Sequence, residues 1–452
     1  MQKKRLAITI TVYMDKTYDI KKIGGDKIAL WGLFVFALLI ARLIVASKSA
    51  LILSEPIILT HAVLSVSMPV SNGWKTEKRW KYQENAFSLS SSFAPGSGKP
   101  RAWAHCRYLL AADTAAPQMR FEQKALEVDG RIVKTGQTQK DKLTFDWALI
   151  EQPKTPLGFI CGTTNLPHNR QLDIEVHQIM SDSEMAERAF NRIVKSLTFE
   201  DNQLLEAGAQ IITQIKSNGI DGFLDNQNQQ AFFLIKDSRG RTIGFTMDVL
   251  IDSGRDAQPN IQAAGLFYIK GRDIFEQVMS FQGRNNLDEF LWKSETYSSA
   301  GRSGTKIILD ETGLMTVSKF GPQPQERSFR LSPATIPDIF IEQILSQMLD
   351  SDKDEIIVDI IEANGKIMPM LASGIEAKKD ITTEEAAYLL KLELLDGRGF
   401  FEQVYLNDQK QIYKRLVQQE EAYILESTTA EDIIRKFPER AEYILRTNEM
   451  LK

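Results

Sequence analysis

The chain has 452 residues, of which 43% are hydrophobic and 25% are charged, an ordinary globular composition with room for two or three domains. Residues 1–46 carry eight Lys or Arg against three Asp, whereas the remainder carries 47 against 56 acidic residues, so the head is basic and the body is acidic. Because binding to phosphates requires a basic face, this composition argues against nucleic-acid binding.

The segment from Ile28 to Ala46 is nineteen residues long and contains one charge, Arg42. A helix needs about 20 apolar residues to cross a bilayer. Seven Lys or Arg residues precede the segment, so the positive-inside rule keeps the N-terminus in the cytoplasm and exports the body. We therefore predict a cytoplasmic head at 1–27 and a single-pass transmembrane helix, an uncleaved signal-anchor, at 28–46. A cleaved signal peptide and a buried soluble helix are the alternatives.

No Asn in the chain begins an Asn-x-Ser/Thr sequence, which favours a bacterial envelope over a eukaryotic secretory pathway. The expected location is the bacterial inner membrane, with the body in the periplasm.

The stretch 51–200 has the pattern of an antiparallel sheet followed by a helix. Leu172, Ile174 and Val176 alternate with polar residues, which predicts a strand with one buried face. Asp129-Gly130 between apolar runs predicts a tight hairpin. An amphipathic helix from about 181 to 197 should cover one face of the sheet.

The opening SMPVSNGW (67–74) and the ending IVKSLTF (193–199), with strands between them and a closing helix, resemble the PsbP-like α/β sandwich. The resemblance implies a small antiparallel sheet backed by helices, and it implies a role as an assembly or accessory factor. It includes no catalytic motif. A helical connector at 201–220 follows and is expected to act as a spacer between domains.

The C-terminal half contains an internal repeat. Residues 271–278 read GRDIFEQV and residues 397–404 read GRGFFEQV, six identities in eight positions at an offset of 126. At the same offset Tyr297 falls on Tyr423. Each copy begins with an apolar strand and ends in helix. We predict two β-meander-plus-helix units, at 221–350 and 351–452.

Curved antiparallel meanders with a helix against them resemble the half-barrel of the LolA/LolB type of lipoprotein carrier. This resemblance implies a concave apolar cavity of several hundred Å³ in each repeat. The predicted fold class is therefore α+β: one N-terminal transmembrane helix, an antiparallel-sheet sandwich domain, and two tandem meander units.

The two cysteines, Cys106 and Cys161, lie in the first β domain and, by the predicted topology, in an oxidising compartment. A disulfide between them is the first hypothesis, and two buried free thiols are the alternative. His105 adjoins Cys106 on a strand, so the two side chains point to opposite faces and cannot form a catalytic pair. His177 shares its face with acidic residues and is expected to be exposed to solvent.

Other motifs do not support a metal, a cofactor or a nucleophile. The acidic run 350–355 has neither Gly at its sixth position nor Glu at its twelfth, so a linker is favoured over a calcium loop. Ser303 lacks the flanking pattern of a nucleophile elbow and is expected to lie in a turn. Phosphate-binding and dinucleotide fingerprints are absent from the sequence. We expect no metal and no cofactor.

The repeated Phe-Glu-Gln-Val is the candidate binding motif. On a strand the Phe and Gln share one face and the Glu and Val share the other. Two explanations of the repeated motif are open. Either its residues were retained after duplication for structural reasons, or the strand contacts a ligand in each copy. The candidate residues are Phe275, Glu276, Gln277, Phe401, Glu402 and Gln403.

These features favour a membrane-anchored, non-enzymatic adaptor, assembly or sensing protein of the bacterial envelope, whose partner is another envelope protein or an apolar ligand. The first alternative is a carrier or binding protein for lipid or lipoprotein acyl chains. The second is a hydrolase with an unrecognised Cys or Ser nucleophile, so whether the protein is an enzyme is left open, with a non-enzyme favoured.

Overall fold

The computed structural model describes residues 31–40, 52–70, 74–83, 85–93, 102–154, 157–179, 183–223, 228–252, 261–270, 274–321, 324–351, 353–374, 386–419 and 422–449. The chain divides into two compact units, Met1–Ile52 and Leu53–Lys452.

In the first unit, helix α1 covers residues 31–40, and its large apolar side chains, such as Trp31 and Phe36, are exposed. The predicted head and the two ends of the predicted anchor, 28–30 and 41–46, lie outside the described residues. Within the described ranges, no helix combines the length and the hydropathy that a membrane span needs.

The second unit begins with two sheets. In the smaller one, β1 (Ile57–Leu59) pairs with β2 (Leu64–Val66), which pairs with a later strand, Thr198–Phe199. The larger sheet is antiparallel and has eight strands in the described part of the chain. In chain order these are β3 (Trp74–Thr76), β4 (Lys81–Gln83), β5 (Ala86–Phe93), β6 (Ala102–Leu109), β7 (Arg131–Lys140), β8 (Leu143–Glu151), β9 (Leu157–Leu166) and β10 (Arg170–Ile179).

The spatial order of the larger sheet is β3-β5-β6-β10-β9-β8-β7, with β4 paired to β5, and Thr198–Phe199 of the smaller sheet is β11. The predicted alternation on β10 is present: Leu172, Ile174 and Val176 are fully buried on one face.

Helices cover both faces of the larger sheet. Helix α2 (Pro117–Glu127) packs Phe121 against Cys161 and its apolar neighbours on one face. Helix α3 (Ser183–Ser196) places the Phe190 ring on the other face, where a Cβ on Gly162 would lie 2.3 Å from that ring. Because glycine leaves that space open, the helix can approach the sheet closely.

Helix α2 was not expected from the sequence, and it changes the role of Asp129-Gly130. These residues do not form a hairpin between two strands. They follow α2 and lead into β7, with Asp129 in the left-handed region at φ 51°. The Gly130 N–H donates to the Ala125 carbonyl and so ends the helix.

The C-terminal half forms one sheet of fifteen strands in the described part of the chain. Its first meander comprises β12 (Asn228–Asp237), β13 (Thr242–Asp252), β14 (Ile261–Lys270), β15 (Ile274–Gly283), β16 (Phe290–Ser298), β17 (Gly301–Leu309), β18 (Leu314–Phe320) and β19 (Gln325–Arg330). The remaining strands are β20 (Thr335–Pro337), β21 (Glu355–Ile361), β22 (Ile367–Gly374), β23 (Tyr388–Leu394), β24 (Phe401–Leu406), β25 (Ile412–Gln418) and β26 (Tyr423–Ser427).

The two meanders are joined side by side because β12 pairs antiparallel with β26, for example Leu234 with Glu426. Strand β20 pairs in parallel with β21 at the far edge. The two predicted repeat units therefore contribute to the same sheet.

This sheet curls back on itself. Gly365, in the turn between β21 and β22, sits so close to Val317 of β18 that a Cβ would lie 2.4 Å from the valine side chain. Gly365 also has φ 77°, a conformation that favours glycine. Strands β18 and β21 are almost at opposite ends of the strand order, so their approach requires strong coiling of the sheet.

In the described ranges, four helices pack on this sheet. They are α4 (Gln203–Asn218), α5 (Ile341–Asp350), α6 (Ala430–Lys436) and α7 (Ala441–Glu449). Helix α4 is not a free spacer, because Leu205 and Ala209 pack against Ile357 of β21. Ile433 of α6 and Ile444 of α7 pack against Phe245 and other residues of β12–β14.

A buried ion pair joins the eight-stranded sheet to the fifteen-stranded sheet. Arg170 of β10 donates to the Asp359 carboxylate of β21 at 2.7 Å, and both side chains are at most 1% exposed. Arg170 also donates to the Tyr108 hydroxyl at 2.6 Å. These contacts fix how the first β domain sits on the second.

Candidate functional site

A cavity of about 460 Å³ lies between the two meanders. Its walls come from β12 to β16 of the first meander, from β21 to β26 of the second, and from the Asp338–Phe340 turn with helix α5. Small-molecule sites typically occupy roughly 300 to 1,000 Å³. The curled sheet therefore encloses a volume suited to one small ligand, shared by both repeats rather than one in each.

Three carboxyl groups from three elements line the cavity. Asp248 comes from the middle of β13, while Asp338 and Glu342 are four residues apart and line the cavity together. Burial, together with the nearby Glu362 and Asp248 charges, raises the pKa of Asp338 to about 8. Burial likewise raises the pKa of Glu342 to about 7 and that of Asp248 to about 6.

Asp248 is exposed and lines the cavity. Its pKa is nevertheless raised, because the cavity walls displace much of the bulk water that would stabilise the ionised carboxylate.

An ion pair from the second meander also lines the cavity. The Arg415 Nε of β25 donates to Glu402 Oε2 of β24 at 3.0 Å, and its Nη2 donates to the same oxygen. Burial disfavours the charged guanidinium, but the Glu402 carboxylate and the neighbouring Tyr423 and Asp248 outweigh this and raise the pKa of Arg415. Arg415 is therefore a fixed cation whose charge is already balanced.

Amide side chains connect the charged groups. Gln229 Nε2 donates to Glu342 Oε1 at 2.8 Å, and Gln343 Nε2 donates to Gln229 Oε1 at 3.5 Å. On β15, Gln277 donates to the Ser294 hydroxyl at 2.9 Å.

Much of the remaining wall is apolar, although Thr246, Glu362, Asn364 and Gln419 also line the cavity. Phe233, Phe267, Ile412 and Leu425 belong to a hydrophobic cluster that spans β12, β14, β25 and β26. Phe281 of β15 and Trp292 of β16 are paired across these two strands and also line the cavity. An apolar wall with a few convergent polar groups is typical of ligand sites.

The structure places two of the six candidate motif residues at the cavity, namely Gln277 and Glu402. Glu276 lies on the other face of β15 and forms an ion pair with Arg440. Phe275 is 36% exposed and packs edge-on against Phe267.

In the second copy, Phe401 lies under the Lys391 ammonium at 5.2 Å, and Gln403 pairs with Lys391 across the ladder. Both lie on the face opposite Glu402, because successive side chains on a strand alternate.

The two copies of the motif thus present opposite faces to the cavity. A β-bulge between Ile235 and Lys236 shifts the register of β12 and β13, whereas β21 and β22 pair without a shift. Moving a strand by one residue exchanges its faces. The repeat also loses its correspondence further on, since Tyr297 lies inside β16 and Tyr423 begins β26.

The two cysteines that the sequence suggested as a bridge are free, buried thiols. Cys106 lies opposite Ile174 of β10, whereas Cys161 lies opposite Glu175. They therefore occupy different strands on either side of β10 and point to opposite faces, which prevents a disulfide. Burial raises the pKa of Cys161 to about 11 and raises the pKa of Cys106 as well, the reverse of an activated nucleophile.

His177 differs from the exposed residue that the sequence predicts. Its ring is stacked between Trp103 at 4.3 Å and Phe159 at 4.6 Å. Burial lowers its pKa to about 4. The strands on either side of β10 supply these rings, so only the sheet order could have predicted the stack.

Sequence reasoning missed Asp248, Asp338, Glu342 and Arg415. A signal was present for three of them. Asp248 interrupts the apolar run FTMDVLI, and the pair Asp338 and Glu342 interrupts the apolar stripe of PDIFIEQIL. Acidic residues in otherwise buried stretches mark functional sites more often than surface acids do. Within the described ranges, no group of His, Cys, Asp or Glu side chains is placed to hold one metal ion.

Together the fold and the site define a β-rich protein with a partly charged cavity. No protein-family profile matches the chain, and no curated protein matches it. Among solved structures, it is similar to a β-barrel-like protein of the domain of unknown function DUF1849 from Brucella abortus, with 9% identity, a TM-score of 0.34, and coverage of 44% of this chain and 95% of that one.

It is also similar to a DUF1089 family protein from Pseudomonas aeruginosa, with 12% identity, a TM-score of 0.23, and coverage of 37% of this chain and 87% of that one. These similarities are distant and concern β-rich folds that are neither PsbP nor LolA. The function is therefore inferred from the residues that line the cavity.

Proposed function

We propose that this protein is a non-enzymatic binding protein or carrier for a small, largely apolar molecule, held in the cavity between the two meanders. The observation that supports the proposal is the cavity of about 460 Å³ with an apolar wall and a polar wall. This cavity favours the carrier hypothesis over the adaptor hypothesis, because an adaptor binds its partners through its surface and does not require an internal cavity.

The proposal includes the location that the N-terminal sequence predicts. The basic head and the apolar segment Ile28–Ala46 support a single-pass anchor in the bacterial inner membrane, with the body in the periplasm. An anchored body next to the bilayer would take up and release apolar ligands at the membrane surface.

The proposal also includes the finer fold relationships. Two helices on an antiparallel sheet support a PsbP-like first domain, and the curled sheet with α5 among the elements that line its cavity supports a relationship to LolA/LolB half-barrels. Two meanders that share one cavity would make this protein a fused version of such a carrier.

The test compares molecules that co-purify with the full-length chain and with two variants. Ala263→Phe adds a ring at the cavity wall, and Gln325→Phe adds the same ring at an exposed position of β19. The wild type and the variants are purified in the same detergent and extracted with organic solvent for mass spectrometry. Lipids that come from the surrounding membrane are then present in every extract and drop out of the comparison. Ala231→Leu, a milder substitution at the cavity wall, serves where Ala263→Phe fails to fold.

We expect a compound at fixed stoichiometry in the wild type and in Gln325→Phe that is depleted in the cavity-filled variant. Identical extracts from all three proteins would overturn the carrier proposal and favour the adaptor hypothesis.

A further inference from the structure

Among the described residues that line the cavity, acidic side chains outnumber basic ones. Five are acidic (Asp248, Asp338, Glu342, Glu362 and Glu402), and one, Arg415, is basic. Arg415 is engaged by Glu402. Within the described ranges, the other four carboxyl groups form no ion pair with a cation, so the cavity has an excess of negative charge whenever they ionise.

These carboxyl groups are close enough to repel one another. Asp248, Glu362 and Glu402 all raise the pKa of Asp338 through their charge, and Asp248 does the same to Glu342. A cation placed among them would relieve the repulsion and favour their ionised forms.

Two further polar groups at the cavity lack a partner. Trp292 is 1% exposed and Gln343 is 4% exposed, yet among the described residues neither the Trp292 Nε1–H nor the Gln343 Oε1 has a hydrogen-bond partner. Leaving a buried donor or acceptor unpaired destabilises the ligand-free protein. A ligand with a hydrogen-bond donor would pair with Gln343, which adjoins Glu342 in the chain.

The aromatic wall is also suited to a cation. Rings of Phe233, Phe267, Phe281, Trp292 and Tyr423 line the cavity opposite or beside the carboxyl groups. Aromatic faces attract ammonium groups through their quadrupole, while their area accommodates an apolar body.

Given the proposed ligand-binding function, on which this inference rests, we propose that the ligand is a cationic amphiphile, an ammonium group on an apolar body. Asp248, Asp338 and Glu342 provide the counter-charge, and Gln343 accepts a hydrogen bond from the head group. An anionic amphiphile such as a free fatty acid is disfavoured, since its carboxylate would meet four others and a guanidinium that is already paired.

The test uses isothermal titration of the full-length chain with three probes that share one chain and differ in the head group: decylamine, decanol and decanoate. At pH 7.5 the amine is protonated, as a Lys side chain is. We expect decylamine to bind at least about tenfold more tightly than decanol, and decanoate to bind most weakly. Decylamine binding should release protons from the cavity carboxyls, a signal that changes with the ionisation enthalpy of the buffer.

Variants assign the preference to the site. Asp338→Asn and Glu342→Gln together should abolish the preference for decylamine while decanol binding persists, and Glu311→Gln, at an exposed turn, should leave it unchanged. Two results would overturn the inference about charge but not the proposed function. One is decanoate binding as tightly as decylamine or more tightly, and the other is a preference for decylamine that survives in the double variant. Failure of all three probes to bind would overturn the proposed function as well.

Discussion

The ion pair of Arg415 and Glu402 affects the charge balance of the cavity. The guanidinium is the cation among the described lining residues, and Glu402 balances its charge by accepting two hydrogen bonds from it. Removing Glu402 would leave an unpaired cation facing the ligand. Its sequence counterpart Glu276 lies on the other face of the sheet with Arg440, so the duplication provides a matched control.

We predict that Glu402→Gln weakens decylamine binding by about tenfold, because the freed Arg415 charge repels the ammonium group. Glu276→Gln should leave the affinity unchanged. Isothermal titration of both variants measures the difference. Equal losses of affinity would show that the faces of the two motif copies are assigned incorrectly.

The pH dependence of stability follows from Asp338. Its pKa is about 8 in the folded chain against an ordinary value of 3.8, so the folded state holds a proton that the unfolded state releases. This contribution to stability is complete below about pH 4 and is lost as the pH rises through about 8. The charged groups facing it are Glu362, Asp248, Glu402 and Arg415.

We predict that the free energy of unfolding of the ligand-free chain falls between about pH 4 and pH 8, by at most about 1.4 kcal/mol per pH unit from this group, and that this group adds no further fall above about pH 8. Urea denaturation should show a shallower fall for Asp338→Asn, with Glu311→Gln behaving as the wild type does. A variant slope as steep as the wild-type slope would exclude Asp338 as the source.

Helix α4 can approach strand β21 closely because residue 208 is a glycine. Gly208 faces β21, and a Cβ there would lie 2.0 Å from the Ile357 carbonyl oxygen. The helix and strand therefore pack backbone to backbone at this point. This contact ties the segment between the two β domains to the second sheet.

We predict that Gly208→Ala destabilises the chain by about 1 to 3 kcal/mol through overpacking. In an exposed helix the same substitution stabilises by about 1 kcal/mol, so the sign is diagnostic. Urea denaturation measures it, with Gln210→Ala on the exposed face as the control, expected within about 0.5 kcal/mol of wild type. A stabilised Gly208→Ala would mean that α4 does not pack on β21.

Elements with strong periodicity were predictable from the sequence. Strand β10 and helix α3 match their alternating and amphipathic patterns. Helix α2 was missed because its stretch PQMRFEQKALE begins after a loop and buries few apolar residues, such as Phe121 and Ala125.

The site was only partly predictable for a related reason. Gln277 and Glu402 could be named from the repeat, but the faces they present depend on a bulge between Ile235 and Lys236 that has no sequence mark. Asp248 and Asp338 are brought together by the curl of the sheet, a property of strand pairing over long separations and not of local pattern.

At the scale of the whole described body, the ion pair of Arg170 and Asp359 links the two large sheets. Removing one member of a buried pair leaves the other charge unsolvated, which costs about 3 to 5 kcal/mol, whereas replacing both with apolar residues is often nearly neutral. Arg170 also holds the Tyr108 hydroxyl, and with burial it lowers the pKa of His61 to about 3.

We predict that Arg170→Met lowers the free energy of unfolding by about 3 kcal/mol or more, and that Arg170→Met with Asp359→Leu recovers at least half of the loss. Denaturation followed by near-UV circular dichroism measures both. Single and double variants of equal stability would show that the two residues do not act as a pair.

Photolabelling can show whether both meanders enclose one ligand cavity. The full-length chain is irradiated with a decylamine analogue that carries a diazirine on its chain, digested, and mapped by mass spectrometry. We expect labels on strands of both meanders, around Met279 and Phe281 on one side and Leu392 and Leu425 on the other, that disappear with excess decylamine. Labels confined to exposed surfaces, or unaffected by the competitor, would rule out a shared cavity.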